Sequence, residues 1–226
     1  SPMSRGLGDV YKRQSQLSVM NYMNMSTLRY LLFQVHGLEA VMQQERYQDY
    51  DVETIELLLN SVKQVADTEA WPSFREMDEK PVRYEDGQVI VHPKIETIIQ
   101  QAAELGLIGG SFDFEVGGMQ LPESALTAAY FILDAANNNV SGYPGLTAGA
   151  AELIASFGSN ELKETYLPNM MSGEWGGTMC LTEPHAGSSL SDIISTATPT
   201  DQGHYHIKGQ KIWISGGDHQ FADNII

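Results

Sequence analysis

The sequence predicts two successive characters, an all-α N-terminal domain followed by an incomplete β-barrel or β-sheet domain. Three observations carry this. Apolar residues recur at three- and four-residue spacings through most of residues 26–172. From Gly173 onward short runs of β-formers alternate with turn residues, so 173–226 reads as the start of a β-domain. The sequence then stops at Asn224-Ile225-Ile226 inside a further apparent strand, which would leave an edge unpaired.

Residues 1–25 read as a leader outside the fold. Ser1 to Gln14 (SPMSRGLGDVYKRQ) has no periodicity and resembles translated adaptor sequence, an ordinary irregular terminus being the alternative. Residues 26–42 are an apolar helix with a break at Gly37. Over 51–70, Ile55, Leu58, Leu59, Val62, Val65 and Ala66 form one apolar stripe. Asp51 and Glu53 suit the first turn of that helix, and Pro72 lies beyond its end. Residues 73–92 read as irregular, with a turn at Asp86-Gly87. Pro93 opens a helix to residue 105 with Gly106 as its C-cap, and 109–120 is a glycine-rich loop. Helices over 122–137 and 146–157 follow, and Ser159 caps another that presents Leu162, Tyr166 and Leu167. Strands are expected over 174–182, 191–198 and 204–215, with a turn at Asp201-Gln202-Gly203.

Composition excludes several functions. Of 226 residues 42% are apolar, enough for a core. A net charge of −16, from 29 acidic against 13 basic residues, argues against nucleic acid, whose phosphates need clustered Lys and Arg. It also argues against an anionic membrane surface, and no apolar run reaches the ~18 residues that a membrane span requires. The charge serves solubility. The single cysteine, Cys180, can form no internal disulfide, and the first 25 residues lack a signal-peptide stretch, so a reducing, cytoplasmic setting is expected.

Generic sites are weak. His204 and His206 would share one strand face, but two histidines without a third ligand make a poor metal site, so no metal is expected. Cys180 has no base near it in sequence and reads as a buried structural cysteine. Gly109-Gly110 and Gly117-Gly118 lack the strand-to-helix context of a nucleotide loop.

The informative stretch is 176–226. It opens GGTMCLTEPHAGSSLSD and continues GHYHIKGQKIWISGGDHQFADNII. This pair of blocks resembles the acyl-CoA dehydrogenase family, which has a strand ending in C-x-T-E-P-x-A-G-S and then a hairpin ending in G-x-K-x-W-I-[ST]. Both blocks stand in order at the right separation. Tyr143-Pro144-Gly145-Leu146-Thr147, the run TYLPNMMSGEW, the GDHQFADNII ending and the extra helical segment at 26–50 resemble the family's long-form branch. The resemblance covers roughly residues 26–226.

That resemblance implies FAD-dependent α,β-dehydrogenation of an acyl-CoA thioester to the trans-2-enoyl-CoA in the whole protein. It implies an electron-transfer flavoprotein as electron acceptor and a homodimer or homotetramer as the assembly. Such chemistry needs the flavin held flat, with hydrogen bonds to its polar edge. By the resemblance, Leu181 and Thr182 offer backbone contacts, the Thr182 hydroxyl lies near flavin N5, Trp213 stands against the ring with Ser215 beside it, and Met179 lines it. Trp213 and Ser215, two apart on an expected strand, would share a face. Gly187 and Ser188 meet the phosphate-bearing part of FAD or of the CoA ester, Ser188 thereby also contacting substrate. Simple β-propensity for Thr182, and core packing for Trp213 and Met179, are the plain alternatives.

Two departures stand out. Ser189 replaces an Asp usual in the family, which removes a carboxylate that would brace the loop, and His185 fills a variable position. Glu183 belongs to the structural TEP turn and is not taken as a base. The family's base, a C-terminal glutamate, and the segments that grip a neighbouring subunit's FAD have no counterpart in these residues. No catalytic residue is therefore expected here, and the fragment itself is expected to be inactive. An acyl-CoA oxidase, or a non-catalytic helical binding protein on the same scaffold, are the rival readings; Thr182, Trp213 and Ser215 argue against the second.

Overall fold

A computed structural model describes residues 22–226; of the leader expected over residues 1–25, residues 1–21 lie outside them. Helix α1 (Met25–Arg29) starts where the Asn24 side chain accepts the Thr27 amide at 3.0 Å. It continues as a π-helical turn, Tyr30–Val35, and Gly37 (φ 62°) separates it from α2 (Leu38–Met42), which is the break expected there. Tyr22, Met23 and Met25 pack against the main core, so the described fold takes in residues assigned above to the leader.

Asp51 caps α3 (Val52–Val65), accepting the Thr54 amide at 2.8 Å, and Ile55, Leu59 and Val62 are fully buried. The helix does not stop before Pro72. A π-helical turn, Ala66–Ala70, joins α3 to α4 (Trp71–Glu79), and Pro72 falls in the first turn of α4, where its missing N–H matters least. The segment read as irregular then holds a hairpin, β1 (Arg83–Glu85) and β2 (Gln88–Ile90). Its turn has positive φ at both Asp86 (50°) and Gly87 (84°), the mirror-image turn that suits strand twist. The Asp-Gly signal marked the turn, but three residues on each side are too few to show alternation.

Helix α5 (Lys94–Glu104) ends on Gly106 (φ 69°), as its sequence predicts. The two helices expected next meet end to end in α6 (Glu123–Phe157): the first ends in a kink at Asn137, whose dihedrals are non-helical (φ −165°, ψ 94°), and the second starts directly after it rather than at residue 146. Asn137 is buried. Its Nδ2 donates to the Ala70 carbonyl at 3.1 Å and its Oδ1 accepts the Asn139 amide at 3.1 Å. One side chain thus replaces backbone partners lost at the kink and ties it to the π turn. Asn137→Ala is expected to cost about 1–3 kcal/mol, the range for a buried polar group losing its partner. A urea midpoint equal to wild type would show the tie to be unimportant. Ser159 caps α7 (Asn160–Met171), its Oγ accepting the Leu162 amide at 3.3 Å.

The main core lies among α3, the π turn, α5 and the first half of α6, with Leu59, Ile98 and Ile132 at its centre. A smaller cluster, Phe112, Ala150, Ala151, Leu167 and Met170, joins the second half of α6 to α7.

After Gly173 the chain turns to β structure. β3 (Trp175–Gly176) pairs in parallel with β6 (Asn224–Ile225), and β4 (Thr196–Pro199) pairs antiparallel with β5 (Tyr205–Lys208). Among the described residues the strands form three separate pairs and no closed barrel. The strands expected over 174–182, 191–198 and 204–215 are therefore shorter than their composition suggests. Residues 190–192 form a 3-10 turn, and the chain just past Gly176 and past Lys208 lacks the ladder that makes a strand. Among the described residues no helix is long and apolar enough to cross a membrane.

Candidate functional site

Two arms, 177–183 and 209–217, run side by side. The Ile212 amide donates to the Thr182 carbonyl at 2.9 Å, the Thr178 hydroxyl to the Ser215 carbonyl at 2.6 Å, and Lys211 Nζ to the Leu181 carbonyl at 2.9 Å. On one side, Thr178, Cys180 and Ile214 line a cleft of about 570 Å³ with Val82, Val89 and Tyr143. Met179 and Leu181 alternate with the cleft-lining residues, and neither they nor Trp213 and Ser215 line it. All four are exposed, Trp213 at 85%. Cys180 is exposed as well, contrary to the burial expected of it, because it lines an open cleft.

The basis for placing Trp213 and Ser215 on one strand face does not hold. Residues 209–215 form no strand, and Trp213 has φ 58°, in the left-handed region that a bulky side chain rarely adopts. Strict alternation ends there. An outlier of this kind persists where its surroundings hold it, and such residues cluster at binding sites. Among the described residues no backbone acceptor meets the amides of Leu181 or Thr182. The two arms therefore carry exposed apolar side chains, and the Leu181 and Thr182 amides are donors without a backbone acceptor.

Glu183 and Ala186 exchange backbone bonds of 2.8 and 3.1 Å, which makes the TEPHAG segment a tight turn. Gly187 follows beside Thr182; a Cβ added to it would stand 3.6 Å from Thr182 Cγ2. Ser188 is exposed, and Ser189 meets Ser191, hydroxyl to hydroxyl, at 3.1 Å.

Glu183 is a brace. Its buried carboxylate accepts the Ile194 amide at 2.8 Å, the Ser195 amide at 3.1 Å and Lys211 Nζ at 2.8 Å. The Ile194 amide foremost, then Lys211 and Ser195, pulls its pKa down to about 2, so it stays ionised and has no basicity to offer. Lys211 was missed as a functional residue although it is the Lys of the G-x-K-x-W block; only the folded arms show that it bridges Leu181 and Glu183. His204 and His206 stand edge-on, ring centroids 5.4 Å apart, and among the described residues no three metal-binding side chains gather.

A helical bundle leads into two open arms that carry the motif blocks. A family profile described as "Acyl-CoA dehydrogenase, N-terminal domain" matches residues 52–174, just over half of the sequence. The chain belongs to the acyl-CoA dehydrogenase family. It is 39% identical to the 3-methylmercaptopropionyl-CoA dehydrogenase of Ruegeria pomeroyi over 66% of this chain and 25% of that protein. It is 32% identical to a butyryl-CoA dehydrogenase of Syntrophomonas wolfei over 91% of this chain and 35% of that protein. The chain thus spans about a quarter to a third of the length of these curated relatives. Among solved structures, butyryl-CoA dehydrogenase from Megasphaera elsdenii superposes with a TM-score of 0.61 at 25% identity, over 74% of this chain and 42% of that one. A glutaryl-CoA dehydrogenase from Mycobacterium smegmatis in complex with FADH2 shares the fold, with a TM-score of 0.63 at 21% identity, over 78% and 42%.

Proposed function

We propose that the whole protein carrying this chain is an FAD-dependent acyl-CoA dehydrogenase that converts an acyl-CoA thioester to the trans-2-enoyl-CoA. The observation that supports this is an exposed indole, Trp213, on one arm and amides without backbone acceptors at Leu181 and Thr182 on the other, within the motif shared with the family. A planar ring with a polar edge suits such a set of groups. When bound, the flavin would supply the hydride acceptor.

The residues of this chain bind and orient. Trp213 and Met179 offer apolar surface to the ring, and the amides of Leu181 and Thr182, with the Thr182 hydroxyl, donate to its polar edge. Ser215 adds a hydroxyl beside them. Gly187 and Ser188 leave room for the phosphate-bearing part of FAD or of the thioester. Glu183 holds the turn and abstracts no proton, so the base lies outside these residues. Electrons pass to an electron-transfer flavoprotein, and the assembly is a cytoplasmic homodimer or homotetramer. We assign residues 26–172 to a helical domain and 173–226 to part of a flavin-facing β-domain.

By itself the 226-residue chain is proposed to be inactive and to hold no FAD, since flavin affinity needs a buried ring and satisfied phosphates together. Absorbance after gel filtration checks this, with the whole protein beside it. A stoichiometric flavin band on the chain alone refutes that part, and a colourless whole protein refutes the functional assignment. In the whole protein, Thr182→Ala is expected to lose about 1–3 kcal/mol of transition-state stabilisation, one oriented donor's worth. Unchanged turnover at full FAD content removes Thr182 from the site.

A further inference from the structure

The two arms of the site are held by one face of α6. Thr147 is 4% exposed. Its hydroxyl donates to the Tyr143 carbonyl, one turn earlier, at 2.8 Å and accepts the buried Gly177 amide at 3.0 Å. A hydroxyl has one proton to give, so these two bonds fix its orientation. Gly177 opens the arm that carries 178–182, and it comes very close to the helix. A Cβ there would lie 2.8 Å from Ala150 Cβ, 2.9 Å from Thr147 Cα and 3.1 Å from Met170 Cε.

Tyr143 meets the other arm. Its ring stands edge-on to that of His219, centroids 5.3 Å apart, and a Cβ on Gly216 would sit 3.6 Å from it. Gly177 directly precedes Thr178, and Gly216 directly follows Ser215, the two residues whose 2.6 Å hydrogen bond links the arms. Each arm is thus anchored to α6 one residue away from that link, at two side chains four apart on the helix.

Resting on the flavin assignment above, we infer that Thr147, with Tyr143, is a positioning residue for that site. It sets where the 178–182 arm stands relative to 211–215, and so how the Leu181 and Thr182 donors face the Trp213 indole. It acts through Gly177 and touches neither cofactor nor substrate. Apolar packing alone would be met equally well by valine, which has threonine's shape but would leave the Gly177 amide buried without an acceptor.

The test compares Thr147→Val with Thr147→Ser in the whole FAD-loaded protein. Read-outs are FAD affinity, the flavin absorption envelope, kcat against KM, and amide exchange over 177–182 by mass spectrometry. Thr147→Val is expected to weaken FAD binding about tenfold, the scale of one buried amide left unpaired. It should also alter the flavin spectrum, lower kcat with little change in KM, and speed exchange in the arm. Thr147→Ser keeps the hydroxyl and is expected to match wild type in all four. Thr147→Val behaving like Thr147→Ser overturns the inference alone; a wild type that retains no FAD overturns the functional assignment, and this inference with it. If Thr147→Val does not fold, Thr147→Ala, which admits water at the Gly177 amide, replaces it with the same expected ranking.

Discussion

Gly118→Ala is expected to destabilise the chain by about 3 kcal/mol or more, at the severe end for overpacking. The new Cβ would stand 2.3 Å from the Phe112 carbonyl oxygen and 2.5 Å from its carbon. These are backbone atoms, and they cannot swing aside as a side-chain tip would. The loop is also closed on itself, by Met119 N–H to Gly109 at 3.1 Å, Gln120 N–H to Phe112 at 2.8 Å and Leu121 N–H to Gly110 at 2.8 Å. Moving Phe112 would break that closure and disturb the small core cluster to which it belongs. Gly142→Ala is the control. It lies within α6 with nothing within 4 Å of its added Cβ, so it is expected to be neutral or to stabilise by about 0.5–1 kcal/mol. Denaturant midpoints decide, and equal midpoints for the two variants would contradict the packing argument.

The second large effect is expected at Glu183. Glu183→Gln keeps the shape but turns one oxygen into a donor group, facing the Ile194 amide, the Ser195 amide or Lys211. The 194–195 segment should come free, with amide exchange there rising on the order of tenfold or more, the scale of a lost charge-assisted bond. The pH dependence gives an independent check. The folded pKa is depressed from 4.5 to about 2, so the ionised form is favoured by folding. Its contribution is complete above pH 4.5 and is lost as pH falls toward 2. Glu183→Gln should remove that acid loss. His219, whose pKa burial also lowers, loses its contribution in a separate window that opens as pH falls below 6.5. A Glu183→Gln protein with the wild-type acid profile between pH 4.5 and 2 would show that the carboxylate is not the brace described.

What the sequence shows best is what neighbouring residues decide together. The stripe from Ile55 to Ala66, the Gly106 cap and the Asp86-Gly87 turn are local events, and each lies where its pattern puts it. What it hides is long-range. Pro72 reads as a stop because nothing local announces the π turn before it. Asn137 does end a helix, but that the next begins at once is hidden, because the partner that ties the kink, the Ala70 carbonyl, is 67 residues away. In the candidate site, the two motif blocks fold into neighbouring arms, but alternation assumes a strand, and the φ of Trp213 denies it. The roles of Lys211 and Thr147 follow only from which arm lies against which.

The kink at Asn137 has a consequence for rotational phase. The half of α6 before it is locked into the main core, while Tyr143 and Thr147, beyond it, aim at the arms. Adding or removing one residue between Asn137 and Tyr143 would turn both side chains by about 100° around the helix axis, off the arms altogether. The turn at 200–204 has no such constraint and could lengthen freely. Along this chain, then, the short span from Asn137 to Thr147 keeps count, like the fixed offset between two toothed wheels on one shaft.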